Sequence, residues 1–209
     1  MRRSNLGWRC RVRAWACGTV AALALGFAPE WVAAAPPPGS LAEVEARYAR
    51  AAEQPEAALE LWFEGVGLYA HPDTRPLAVQ ILALTTAEFD GDLTWPKRPS
   101  AATFASRLAD PAFAHVFRSY NRGTSPANGY GVPPGGLALN IEASTAEPLT
   151  RGVAGAQGTA EGWIIRLRSS GADLPRTVTL RRNTQTGRWQ VSRFSSIYVD
   201  VRPPVAGKP

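Results

Sequence analysis

Two short segments carry the side chains best suited to gripping a ligand. In the first, Tyr120, Arg122, Asn128 and Tyr130 fall close together. Arg122 is a permanently charged planar donor, Asn128 both donates and accepts, and the tyrosines offer aromatic faces tipped with hydroxyls. Such a set suits a carboxylate, a sugar or a peptide. In the second segment, Asp173 and Arg176 bracket Leu174-Pro175 ahead of an alternating apolar run. The same residues admit an architectural reading. Gly123, Pro126 and Gly129 would shape a connection while the tyrosines pack on the core, and Asp173 would cap its own turn with Arg176 paired to it or in solvent. Both readings stay open from residue types alone.

Proton transfer and metal binding have thinner support. The chain holds two histidines, His71 and His115. His71 belongs to a His-Pro-Asp turn, and His115 sits between Phe113 and Val116 on a helical pattern, so neither belongs to a nitrogen ligand set. No HExxH, Gly-x-Ser-x-Gly or P-loop is present. Asp90 and Asp92 flank Gly91 as a conceivable hard-cation pair, although an Asp-Gly-Asp loop is normally solvated. Both cysteines, Cys10 and Cys17, lie in the N-terminal leader described next. The rest of the chain therefore has no thiol for a disulfide, a thiolate metal site or a nucleophile. No catalytic residue, metal or cofactor is assigned; a carboxylate pair acting on sugars would be assembled only by the fold.

Residues 1–13 carry five Arg and no acid, residues 14–27 are apolar and Ala-rich, and Ala33-Ala34-Ala35 offers a small-residue cut. This is the three-part build of a secretory signal peptide over residues 1–35. Its apolar run is shorter than the roughly 20 residues a spanning helix needs. The expectation is an exported protein, periplasmic or extracellular, with no membrane span once the leader is removed. Arg2-Arg3-Ser4-Asn5-Leu6 partly matches a twin-arginine signal but lacks its second apolar residue, leaving the export route open. Without the leader, 18 Lys and Arg face 16 Asp and Glu. The basic pI of 9.9 is thus mainly a property of the leader. A nucleic-acid partner, which needs clustered phosphate-neutralising cations, is not expected.

The elements that must position the two segments follow from periodicity. Pro36 to Ser40 reads as a Pro-rich tether, residues 41–203 as a single domain, and residues 204–209 as a flexible tail. Ser40-Leu41-Ala42-Glu43 has capping-box spacing, predicting a helix over residues 41–52. Pro55 opens a second helix, carried by Leu59, Trp62, Phe63 and Val66 to about Tyr69, with Gly65 and Gly67 blurring its end. Thr74 precedes a third helix bearing Leu77, Ile81 and Leu84. Ser100 and Asp110-Pro111 start two more, the first with Phe104 and Leu108, the second with Phe113, Val116, Phe117 and Tyr120. Asp90-Gly91-Asp92 and Trp95-Pro96 interrupt the helical half.

From Asn121 to Gly136 the chain is rich in Gly, Pro, Ser and Asn, and beyond it the apolar period becomes two. Leu137, Leu139 and Ile141 form one alternating run, followed by Trp163, Ile165 and Leu167, by Val178 and Leu180, by Trp189 and Val191, and by Ile197, Val199 and Val201. Arg166, Arg168, Thr177, Thr179 and Arg181 occupy the opposite faces. The fold class is therefore α+β: N-terminal helices on a C-terminal antiparallel sheet of about four to five strands. That element order is also the order of cystatin-like and nuclear-transport-factor-like rolls.

The segment from Ser119 through Tyr120, Gly123, Ser125-Pro126 and Asn128 to Tyr130 resembles the Ser-Tyr-x-x-Gly-x-(Thr/Ser)-Pro-x-Asn-x-Tyr stretch of a family of bacterial proteins known only as a domain of unknown function. Ser170-Gly171-Ala172-Asp173-Leu174-Pro175-Arg176 is similar to that family's Ser-Gly-Ala-Asp-x-Pro-Arg run into a strand. The close, from Trp189 through Ser195-Ser196 to Val201-Arg202-Pro203, fits as well. The resemblance spans residues 104–203, with departures at Ala127, where a carboxylate is frequent, and at Leu174, where a small polar residue is. It implies no activity. The expected function is a non-enzymatic exported domain that binds a small ligand or an envelope protein through Tyr120, Arg122, Asn128, Tyr130, Asp173 and Arg176. The alternatives are an envelope hydrolase using paired carboxylates and a purely structural subunit.

Overall fold

The computed structural model describes residues 39–51, 53–87, 99–134, 136–149 and 160–205. These lie within one compact unit, Ala33–Pro209. The leader, most of the tether, the Asp90-Gly91-Asp92 and Trp95-Pro96 segments and residues 206–209 fall outside the described residues.

Helix α1 covers Leu41–Ala51 and α2 covers Pro55–Tyr69. At the start of α1 the Glu43 amide donates to Ser40 Oγ at 3.3 Å, and the Glu43 carboxylate accepts from the Gly39 amide at 2.9 Å. The box closes one residue earlier than its simplest form, still satisfying free donors of the first turn. Helix α3, Arg75–Thr85, crosses α2 closely at Gly65. A Cβ at Gly65 would stand 2.8 Å from Ile81 Cγ2, so this glycine sets the spacing of the two helices. Helices α4, Pro99–Ala109, and α5, Ala114–Arg118, follow, joined by a 3-10 turn that Asp110 caps by accepting from the Ala112 amide.

The sheet is an antiparallel meander in the order β1, Ile141–Leu149; β2, Ala160–Leu167; β3, Arg176–Arg182; β4, Trp189–Arg193. Ile165, Leu167, Val178, Leu180 and Val191 are fully buried on its inner face. Trp62 lies at the centre of the core, with its ring stacked on Phe104 at 5.4 Å and set edge-on to Phe63 at 5.2 Å. Its indole N–H donates to Thr86 Oγ1 at 2.7 Å, which satisfies the one polar atom of an otherwise apolar side chain.

Two expectations about strands need correction. Leu137 and Leu139 pack against or within the core, but the first strand begins only at Ile141; Leu139 makes one isolated bridge, to Asn121. The run Ile197, Val199, Val201 is not a fifth strand: Ser195–Tyr198 is a 3-10 turn, and the chain then bends at residues 199–200, where Asp200 is left-handed with φ of 53°. Side chains take over at this edge. Ser196 Oγ accepts from the Thr177 amide of β3 at 3.2 Å and donates to the Thr177 carbonyl at 2.8 Å, while the outer edge of β4 is met at Val191 by Thr86 and Ala87. Thr179 is also buried rather than solvated, at a register shift between β3 and β4 where Ser192 Oγ donates to its carbonyl.

Candidate functional site

The two segments singled out by residue type converge on the C-terminal stretch of the described chain. The Tyr120 hydroxyl donates to the Ile197 carbonyl at 2.9 Å, and the Tyr130 hydroxyl donates to the Arg202 carbonyl at 2.6 Å. Both rings are fully buried. Burial raises the pKa of both phenols, with Arg176 pulling the other way at Tyr120 and Arg202 at Tyr130. Arg176 is half-buried and directs its guanidinium toward the carbonyls of Val199 and Asp200, each at 3.5 Å. Asp173 is exposed and pairs with Arg202 at 3.1 Å. Arg202 in turn donates its amide to the Gly171 carbonyl at 2.9 Å, and Val205 donates its amide to the Pro126 carbonyl at 3.0 Å.

Asn128 is spent locally. Its Oδ1 accepts from the Ser125 amide while Ser125 Oγ accepts from the Asn128 amide, a capping box around the 3-10 turn Pro126–Asn128. Its Nδ2 donates to the Gly123 carbonyl at 2.9 Å. The Ser-Pro-x-Asn spacing is thus the chemistry of a capped turn, which Gly129 exits in a left-handed conformation. Arg122 stands exposed, with Glu60 as its electrostatic neighbour. Tyr120, Tyr130, Asp173 and Arg176 therefore form a clasp on residues 197–202, in which Arg122 and Asn128 take no part, and the aromatic faces of Tyr120 and Tyr130 are turned into protein.

A cavity of about 200 Å³ lies beside this clasp. Helix α2 contributes Phe63, Val66 and Gly67, and α4 contributes Leu108. Ala114, Phe117 and Arg118 come from α5, and Asn121, Val132 and Leu137 from the connection that follows. Val132 is 42% exposed, marking an open side. The lining is apolar except for Arg118 and Asn121.

Asn121 is 97% buried, and its Oδ1 has no hydrogen-bond donor among the described residues. Its Nδ2 donates to the Arg118 carbonyl at 3.2 Å, which also takes the Asn121 amide at 3.0 Å, so the side chain is fixed by its donor end. An unpaired buried acceptor costs about 1–3 kcal/mol. Gly67 adds a second observation. A Cβ there would meet nothing within 4 Å, in contrast to Gly65, so no packing requires glycine in this last turn of α2. Glycine in a helix costs up to about 1 kcal/mol relative to alanine. Gly67 is exposed at the cavity lining.

Residue-type reasoning passed over Asn121 and Arg118, although Asn121 occupies one of the open positions of the first motif. The available signal was a helix end, Val116-Phe117-Arg118, running into an Asn within an apolar stretch. Paired carboxylates are present on α2, where Glu56, Glu60 and Glu64 recur four residues apart. Glu64 is bound to Arg47 at 2.5 Å, and Glu56 accepts from Ser144 Oγ, which itself accepts from the Trp163 indole. Burial raises the pKa of Glu60 and Glu64 first of all, followed at Glu60 by the charge of Glu56, while Arg47 draws Glu64 back. None of these acids lines the cavity. Among the described residues no group of three His, Cys, Asp or Glu can hold a metal, and no helix is long and apolar enough to cross a membrane.

The chain belongs to the family described as Domain of unknown function (DUF6935), which matches residues 37–205. No curated protein and no solved structure matches the chain.

Proposed function

We propose that this protein is an exported, non-enzymatic binding domain whose cavity between α2, α4, α5 and residues 121–137 takes a small ligand with an apolar body. The observation that carries the reading is the cavity itself, a space of about 200 Å³ whose lining is apolar except for Arg118 and Asn121. Export rests on the composition of residues 1–35. The cavity suits a body slightly larger than benzene, which a dry apolar cavity of about 150 Å³ accommodates. The clasp formed by Tyr120, Tyr130, Asp173 and Arg176 holds the connection that carries Asn121 and Val132, so these four residues support the site from behind.

The test compares phenol with benzene, which differ by one hydroxyl donor, using methyl NMR shifts of Val66, Leu108, Val132 and Leu137. Both probes are expected to shift these methyls saturably. Absence of a saturable shift with both probes would overturn the reading.

A further inference from the structure

The two edges of the sheet differ. The edge at β4 is met by Thr86 and Ala87, whose amide donates to the Val191 carbonyl at 2.8 Å. Ahead of β1, Arg122 donates its amide to the Ala138 carbonyl at 2.8 Å and Asn140 donates to the Tyr120 carbonyl at 2.8 Å, so residues 120–122 cover residues 138–140. Beyond that point no described residue pairs with the outer side of β1. The register tells which groups this leaves open. Arg168 donates its amide to the Asn140 carbonyl, so Arg166 and Ile164, in step with it along β2, also face β1 and engage Ala143 and Thr145. Ser144, Ala146 and Pro148 alternate with these and turn their backbone away from β2. Pro148 agrees with this assignment, because a strand tolerates proline where the missing N–H would point outward. Ala146 is exposed.

An open edge of this kind is a template for another strand, and the charge beside it selects which. Glu56 accepts from Ser144 Oγ, and Glu60, one turn further along α2, has Arg122 as its electrostatic neighbour. Helix α2 therefore runs alongside β1 and presents both carboxylates near the open edge. The charge of Glu56 raises the Glu60 pKa more than Arg122 lowers it, so negative charge is in excess there. Trp163, opposite Ala146 on the helix-facing side of the sheet, is half-buried. Two copies of this chain joined edge to edge would set two acidic stripes side by side, which disfavours self-pairing. We infer that the outer edge of β1 takes an extended basic peptide as an added strand, hydrogen-bonded to the backbone of Ser144 and Ala146, with every second side chain a lysine or arginine directed at Glu56, Glu60 and the Trp163 ring. Backbone pairing supplies the affinity, while the acids and the indole face choose cations. This surface is distinct from the cavity, and the inference stands or falls without it.

Fluorescence anisotropy of labelled hexapeptides with the whole protein tests this. The peptide KTKTKT is expected to bind saturably and about tenfold more tightly than ETETET, with added salt narrowing the margin. Two further versions of KTKTKT carry N-methyl groups on the lysine nitrogens or on the threonine nitrogens. In a strand only one of these two sets faces β1, so one version should lose about tenfold while the other keeps its affinity. Ala146→Pro removes an outward N–H without touching the ladder to β2, and should weaken KTKTKT about tenfold with the thermal midpoint close to that of the unaltered protein. Absence of saturable KTKTKT binding, equal binding of ETETET, or equal binding of the two methylated versions overturns the inference. So does sedimentation showing a dimer that becomes monomeric in Ala146→Pro, which would assign the edge to a second copy.

Discussion

The hydroxyl of Tyr130 donates to the backbone carbonyl of Arg202 at 2.6 Å, joining positions 72 residues apart. Tyr130 does so from a left-handed backbone with φ of 58°, a conformation that costs a non-glycine residue about 1 kcal/mol or more. Full burial of the ring and the bond to Arg202 compensate for that cost. Gly171 sits directly beneath. A Cβ at that position would overlap the Tyr130 hydroxyl and come within 2.7 Å of Val201 Cγ1. Three segments distant in sequence thus meet at a point where nothing larger than glycine fits.

Gly171→Ala should therefore destabilise the protein by about 1–3 kcal/mol, the range for overpacking a well-filled interior. Tyr130→Phe, which removes only the hydroxyl, should cost about 1 kcal/mol. Asp173→Asn, breaking an exposed pair with Arg202, should cost less than either. Denaturant unfolding of the three variants gives the order; a Gly171→Ala protein as stable as the unaltered one would contradict the packing described.

Glu60 supplies a prediction with a definite sign. Its pKa is raised in the folded protein, chiefly by burial. The native state then holds the Glu60 proton more tightly than the unfolded chain does, so this group's contribution to stability is present in acid and lost as pH rises through the folded pKa. Glu60→Gln should be more stable than the unaltered protein at neutral pH and nearly equal to it near pH 4, where the carboxyl is largely protonated in both states. A stability difference that grows on acidification would show the opposite shift.

Alkaline behaviour follows from the phenols. Burial pushes Tyr48 up to about 12 and raises Tyr69, Tyr120 and Tyr130 as well. Unfolded tyrosines ionise near pH 10, so stability should fall as pH climbs beyond that value. Phenolate absorbance is expected to appear together with loss of the near-ultraviolet circular dichroism signal. Ionisation of these tyrosines well before that loss would mean that their hydroxyls are open to solvent.

Helices were legible because their apolar residues recur at the right period and their starts carry recognisable caps; Pro55–Tyr69 follows directly from Pro55, Leu59, Trp62, Phe63 and Val66. The strands from Trp163 to Val191 were legible by alternation. Ile197, Val199 and Val201 alternate just as well, yet a 3-10 turn over Ser195–Tyr198 and a left-handed Asp200 interrupt the stretch, which apolar patterning does not encode. At the site, residue type identified groups with ligand-binding chemistry but not their exposure. Tyr120 and Tyr130 have the same side chains whether they face a ligand or a carbonyl 72 or more residues away. Asn121 became visible only through what it lacks, a donor for Oδ1, which depends on every neighbour the fold brings to it.

The cavity claim is tested most directly by titrating phenol into the unaltered protein and into Gly67→Leu side by side, with the thermal midpoint recorded for both. Gly67 lines the cavity, and a leucine there meets no other atom within 4 Å of its Cβ and also improves the helix. The account predicts a midpoint equal to or above that of the unaltered protein together with loss of phenol binding. Phenol binding that survives unchanged in Gly67→Leu would contradict it.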